Sequence, residues 1–157
     1  MVLTLVVAAL AVGLWVRHYL APSNVIRRSL RAGIEAFQEE RILGALKPLS
    51  RSYEDRWGMS YETLAGHMRE VMGTYDALRV DLEPFAVEVD GEEGSTALRF
   101  VVWGSYEGTR GYVIGSLQEP CTATLKWRKE PAGWRVVSMS ALDIPELRDE
   151  LARRERQ

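Results

Sequence analysis

The chain has little of what catalytic and metal-binding proteins usually display. Its single cysteine, Cys121, can form no internal disulfide in any compartment. It has two histidines, His18 and His67, and no His/Cys/Asp cluster at ligand spacing, so any metal site would need ligands scattered over separate strands. A glycine-rich phosphate loop and a nucleophile elbow are both missing, which leaves phosphate-cradling and serine-hydrolase chemistry without a motif, and no cofactor is expected. Positive charge is not in excess. With 20 Lys and Arg against 22 Asp and Glu, the net charge of −2 gives no broad basic field of the kind that nucleic-acid binding draws on. There are no internal repeats and no low-complexity tract, which excludes a solenoid.

What the chain does have is an apolar beginning. From Val2 to Val16 there is no charge, amide or proline, and Thr4 supplies the only hydroxyl. At about 1.5 Å of rise per residue the run covers roughly 22 Å, short of a ~30 Å hydrocarbon core. Its flanks must therefore complete a span: Trp15 and Tyr19 as interface aromatics, and Arg17 and His18 with polar ends that reach toward headgroups. Pro22 marks a break before the next helix. A signal peptide would need a basic leader, and only Met1 precedes Val2, so residues 1–22 read as an uncleaved, single-pass transmembrane anchor in the cell membrane. Arg17, Arg27, Arg28 and Arg31 follow the span with no basic side chain before it. The positive-inside rule then sets the rest of the chain on the cytoplasmic side, the extracytoplasmic side being the alternative. Ala8, Ala9 and Gly13 are small enough to let another membrane helix approach closely.

The remainder has the size of one domain, residues 23–142, with a charged helix or tail over 143–157. Ile26, Leu30, Gly33, Ile34 and Phe37 recur at helical spacing, a short second helix spans Ile42 to Leu46, and Ser60 caps a third that carries Leu64, Met68, Val71 and Met72. After Leu78 the period changes to two. One long strand is expected through Val89, with Pro84 at an edge or bulge, then a turn over Asp90–Gly94 and a return strand from Ala97 to Trp103. A strand broken at Glu119-Pro120 and a last one over Trp134–Met139 follow, and Asp143-x-x-Glu146 resembles a capping box with Leu142 in its hydrophobic staple. Helices first and antiparallel strands afterwards predict an α+β fold, about three helices packed on a curved antiparallel sheet.

Three local features carry a family likeness: Tyr53-x-Asp55 within the connection Leu49–Gly58, the helix start Gly58-Met59-Ser60, and the closing Gly133-Trp134-Arg135-Val136. Over residues 23–142 the chain resembles the nuclear transport factor 2-like superfamily, the cone-shaped fold shared with ketosteroid isomerases and SnoaL-type cyclases. The resemblance implies a site inside the cone, where enzymes use a carboxylate or histidine as base and a tyrosine or protonated acid to hold an oxyanion. Tyr53, Asp55 and His67 are the candidates here, His67 beside Leu64 and Val71 where it could reach the pocket rim; the competing expectation is that the first two tie a loop to the first helix and that His67 is an ordinary boundary histidine. Trp57, Trp103, Trp127 and Trp134 would abolish a pocket if they point inward, and would favour an apolar ligand if they line an open one; filling is the expectation.

An anchor beside a domain without an active-site constellation favours a non-catalytic, single-pass accessory or scaffold subunit that docks its helix and cone onto other membrane-protein subunits at the lipid bilayer. The alternative is a pocket protein, either an isomerase-, dehydratase- or cyclase-like enzyme or a carrier of an apolar small molecule. The open face of the sheet is a candidate homodimer surface.

Overall fold

The structure, a computed structural model, describes Val12, Val16, Arg17 and residues 19–143. Ala8, Ala9, Gly13, Trp15 and His18 lie outside the described residues, as does the helix expected after Asp143. Among the described residues no helix is long and apolar enough to cross a membrane. Val16, Arg17, Tyr19 and Leu20 are helical and exposed, and the Arg28 guanidinium lies 3.8 Å from the centroid of the Tyr19 ring.

The chain leaves this segment at Ala21, whose backbone is extended because a proline disfavours helical geometry in the residue before it. Pro22 itself suits the first helical position, so helix α1 (Pro22–Gln38) starts there, with no side-chain cap. It buries Ile26, Leu30, Gly33 and Ala36. Helix α2 (Ile42–Leu46) folds back against it. Gly33 permits this approach: a Cβ there would come within 2.6 Å of the Pro48 ring. Helix α3 (Tyr61–Thr74) is capped as expected, with Ser60 Oγ accepting from the Thr63 N–H at 3.3 Å.

Six strands follow: β1 (Asp76–Leu82), β2 (Val87–Asp90), β3 (Glu93–Tyr106), β4 (Thr109–Ile114), β5 (Cys121–Glu130) and β6 (Gly133–Asp143). All their pairings are antiparallel, and the long β3 is the spine. One edge of β3 pairs with β2 and then β1, the other with β5 and then β4, and β6 extends the sheet beyond β5. The single strand expected from Leu78 to Val89 is thus corrected to two. Glu83 N–H makes the last bond, to Arg99 O at 2.9 Å; Pro84 has no N–H to give a ladder, and the chain crosses residues 84–86 outside any strand before it meets a different part of β3. The last strand also outruns its expected end at Met139: Leu142 faces Ala123 and Asp143 faces Thr122, so both are strand residues. Register shifts at Thr124/Leu125 and Lys126/Trp127 between β5 and β6, and at Val102/Trp103 between β3 and β4, bend the sheet around α1.

The core between α1 and the concave face holds Ile26, Leu46, Tyr61, Trp127, Trp134 and Val136. Trp127 is 1% exposed, and its Nε1–H donates to Oγ1 of the equally buried Thr96 at 3.0 Å. Thr96→Val keeps the shape but strands a buried indole N–H. The substitution is expected to lower the unfolding free energy by about 1–3 kcal/mol in urea titrations, and a loss below about 0.5 kcal/mol would show that the indole finds another acceptor.

Candidate functional site

The connection between α2 and α3 is stitched to the outer edge of β6. Ser50 N–H donates to Val136 O at 2.9 Å, Val136 N–H to Pro48 O at 2.8 Å, and Glu54 N–H to Val137 O at 3.1 Å. Leu49 thereby forms a parallel bridge with Val136, and Ser50 Oγ adds a 2.6 Å hydrogen bond to Glu130 Oε1. The peptide groups of β6 at Val136 and Val137 are thereby paired, and Pro48, Leu49 and Tyr53 are held at the cavity wall.

Tyr53 and Asp55 meet as the residue spacing suggests, but their hydrogen bonds are already committed. Tyr53 Oη donates to Asp55 Oδ2 at 3.1 Å, while Asp55 Oδ1 accepts from the N–H groups of Trp57 at 2.9 Å and Met59 at 3.0 Å. A carboxylate that accepts two peptide N–H bonds and a hydroxyl is a loop clamp. Gly58, at φ 77°, lets the chain turn back so that Asp55 N–H also reaches Met59 O at 3.2 Å. Burial, and then the Asp55 charge and hydrogen bond, push the Tyr53 pKa above its ordinary value. A tyrosine held in this way keeps its proton at neutral pH.

Between this loop, the helices and the sheet lies a cavity of ≈ 290 Å³. Leu30, Ile34 and Phe37 of α1 form one wall, and Leu64 and Met68 of α3 another. Leu98, Phe100 and Val102 of β3, Ala123 and Leu125 of β5, and Val136 and Met139 of β6 make the floor. Tyr53 is the only lining residue with a side-chain oxygen or nitrogen, and that oxygen is turned to Asp55. Ile34, Phe37, Leu64, Met68, Phe100 and Met139 are only half-buried, so apolar surface remains uncovered inside the fold. For scale, a leucine- and phenylalanine-lined cavity of about 150 Å³ stays dry and takes up benzene.

His67 does not join this site. It lies on the solvent side of α3, its side chain 60% exposed and its Nδ1 3.8 Å from Glu70 Oε2. Tyr53 lines the cavity; Asp55 lies behind it, in the clamp. Nor do the tryptophans behave as expected, since none lines the cavity. Trp127 and Trp134 pack in the core beside it, Trp57 is exposed, and Trp103 lies on the other sheet face, where its Nε1–H donates to Asp81 Oδ2 at 2.7 Å and its ring stacks on Tyr112 with centroids 4.0 Å apart. The cavity is therefore free of tryptophan and lined by aliphatic, methionine and phenylalanine side chains with Tyr53. Its α1 wall was visible in the sequence as a core stripe, but nothing local marked Ile34 and Phe37 as facing a void.

No family model matches the sequence, and no curated protein sequence does either. Solved structures do match. The chain is similar to an NTF2-like protein with a cystatin-like fold from Novosphingobium aromaticivorans, at 20% identity and TM-score 0.61 over 83% of this chain and 85% of that one. It is also similar to a protein from the same organism named as a candidate aromatic ring hydroxylase, at 15% identity and TM-score 0.62 over 77% and 87%. A third is a candidate dehydratase of the NTF2-like family from Streptomyces avermitilis, at 12% identity and TM-score 0.60 over 74% and 91%. At these identities the likeness establishes the fold: helices packed on a curved antiparallel sheet, as in NTF2-like proteins.

The Tyr53 environment makes a prediction at alkaline pH. Below about pH 10 the side chain is protonated in both folded and unfolded chains, so the stability difference between the wild type and Tyr53→Phe is flat. Above it the unfolded chain ionises while the folded one does not, and the wild type is expected to lose ground to Tyr53→Phe by up to about 1.4 kcal/mol per pH unit. Parallel stability curves above pH 10 would show that the folded tyrosine ionises normally.

Proposed function

We propose that this chain binds an apolar small molecule inside its cone. The observation that carries this reading is the ≈ 290 Å³ cavity whose lining presents carbon and methionine sulfur, with one hydroxyl already engaged. An unpaired hydroxyl or amide brought into such a space would lose its water without replacement, at a cost of about 2–7 kcal/mol. An apolar ligand meets no such penalty and covers surface now half-exposed, at roughly 25 cal/mol per Å² removed from water. The names of two structural neighbours, candidate dehydratase and candidate aromatic ring hydroxylase, are those of proteins that handle small molecules and agree with a pocket role.

Carriage accounts for the site better than acid–base catalysis does. A general base must reach the ligand with a free lone pair. Asp55 spends its oxygens on Trp57, Met59 and Tyr53, and His67 lies on the far side of α3. The apolar first segment supports a further part of the proposal, that the domain stands at a bilayer, where apolar ligands collect. The pocket takes precedence over the accessory-subunit role expected from that segment, because a cavity is a physical feature that a scaffold has no need to keep.

Photolabelling tests this reading. The full chain, exposed to a small apolar aryl diazirine, is expected to be labelled on β3 and β5 at Leu98, Phe100 and Leu125. Ala123→Phe, which fills the floor, is expected to cut that labelling about tenfold, while Ala97→Phe, at an exposed position on the neighbouring strand, leaves it intact. Equal labelling of these strands in wild type and Ala123→Phe would sink the pocket reading.

A further inference from the structure

The cavity defines the apolar part of a ligand, and its rim bears on the rest. A surface groove between α1 and the β1–β2 connection shares Ile34, Val80 and Leu82 with the cavity wall. Arg31, Glu35 and Gln38 border this groove from α1. They stand three or four residues from one another, or next to Ile34, so the helix stripe that sends Ile34 inward carries polar side chains along its outer margin. The cavity and the charged groove thus share one wall.

The charges at that rim are unequal. Glu83 also borders the groove, but its Oε1 lies 3.3 Å from Arg99 Nε, so its charge is already met. Gln38 Oε1 accepts from Val80 N–H at 2.8 Å, which leaves the amide N–H₂ as a donor. Arg31 has no carboxylate at ion-pair distance among the described residues. One turn earlier and outside the groove lining, the Arg27 guanidinium donates to Asn24 Oδ1 at 3.2 Å and stands 5.9 Å from the ring of Phe85, which borders the groove. Among the described residues of the groove lining, Arg31 and the Gln38 amide donor stand against the carboxylate of Glu35, with the positive charge of Arg27 one turn away.

We infer that the ligand is a single-chain amphiphile with a monoanionic head, a long-chain carboxylate in kind, its tail in the cavity and its carboxylate at Arg31 and Gln38. This rests on the pocket reading above. The guanidinium fork matches a carboxylate in shape as well as charge, and Glu35 limits the net field to what one negative charge satisfies. A cationic head would meet the arginines, and a headless hydrocarbon would leave the rim unused.

The test is a comparison of two probes on the full chain in phosphatidylcholine nanodiscs: dodecanoic acid and dodecanol, each with a diazirine at the far end of the tail, loaded equally at about pH 8.5, well above the ordinary carboxylate pKa. Labelling is read by mass spectrometry at the cavity strands. The wild type is expected to favour the acid about five- to tenfold, the range of one charge-assisted contact at a partly exposed site. Arg31→Gln is expected to bring the ratio to about one, Arg31→Lys to keep part of it, Glu35→Gln to raise it, and added salt to lower it. Because Arg31 is exposed, these variants leave the core intact. An undiminished preference in Arg31→Gln, or equal labelling by the two probes in the wild type, would overturn the headgroup assignment while leaving the pocket in place. Absence of cavity labelling by either probe, or labelling insensitive to Ala123→Phe, would overturn both.

Discussion

The inner architecture depends on the seam between residues 48–54 and the outer edge of β6. Three backbone hydrogen bonds and a single parallel bridge fasten an irregular connection to β6 at Val136 and Val137, covering that part of the sheet edge. Because peptide groups make the seam, it fixes main-chain position and sets Pro48, Leu49 and Tyr53 at the cavity wall whatever their side chains prefer. Gly33 then lets α1 approach Pro48, and the Asp55 clamp directs the chain into α3. The seam thus adds a main-chain restraint to the side-chain packing that already holds α1 on the sheet.

The cavity is an unusual feature to keep. Protein interiors are close-packed, and an unfilled apolar volume forfeits both dispersion contacts and burial. Here the large aromatic side chains that could fill it are placed elsewhere: Trp127 and Trp134 in the core beside it, Trp103 on the opposite face of the sheet. The void is bounded by half-buried apolar side chains, and the polar groups Arg31, Glu35 and Gln38 stand along the groove that shares its wall, which is the form the proposed ligand site requires.

The Tyr53–Asp55 pair shows how one residue pattern can bear two opposite readings. In sequence, tyrosine and aspartate two apart could be a donor and a base facing a substrate. In space the same two side chains face each other and the turn between them, and the backbone amides of Trp57 and Met59 consume the carboxylate. Local spacing places the pair on one loop; only the path of that loop decides whether its oxygens look inward or back at the chain.

The division between legible and illegible features follows range. Local patterning was sufficient for the helical stripes of α1 and α3, the Ser60 cap, the antiparallel strands, the turn at Gly91 and the α+β class, because helix period, capping and strand alternation act within a few residues. The split at Pro84, the extension of β6 to Asp143 and the seam on Val136 depend on partners far along the chain. The cavity is the extreme case. It is a difference between the volume enclosed by helices and sheet and the volume their side chains occupy, and neither quantity is a property of any one segment. Ile34 and Phe37 look the same in sequence whether they meet a partner or a void; tertiary geometry alone decides which.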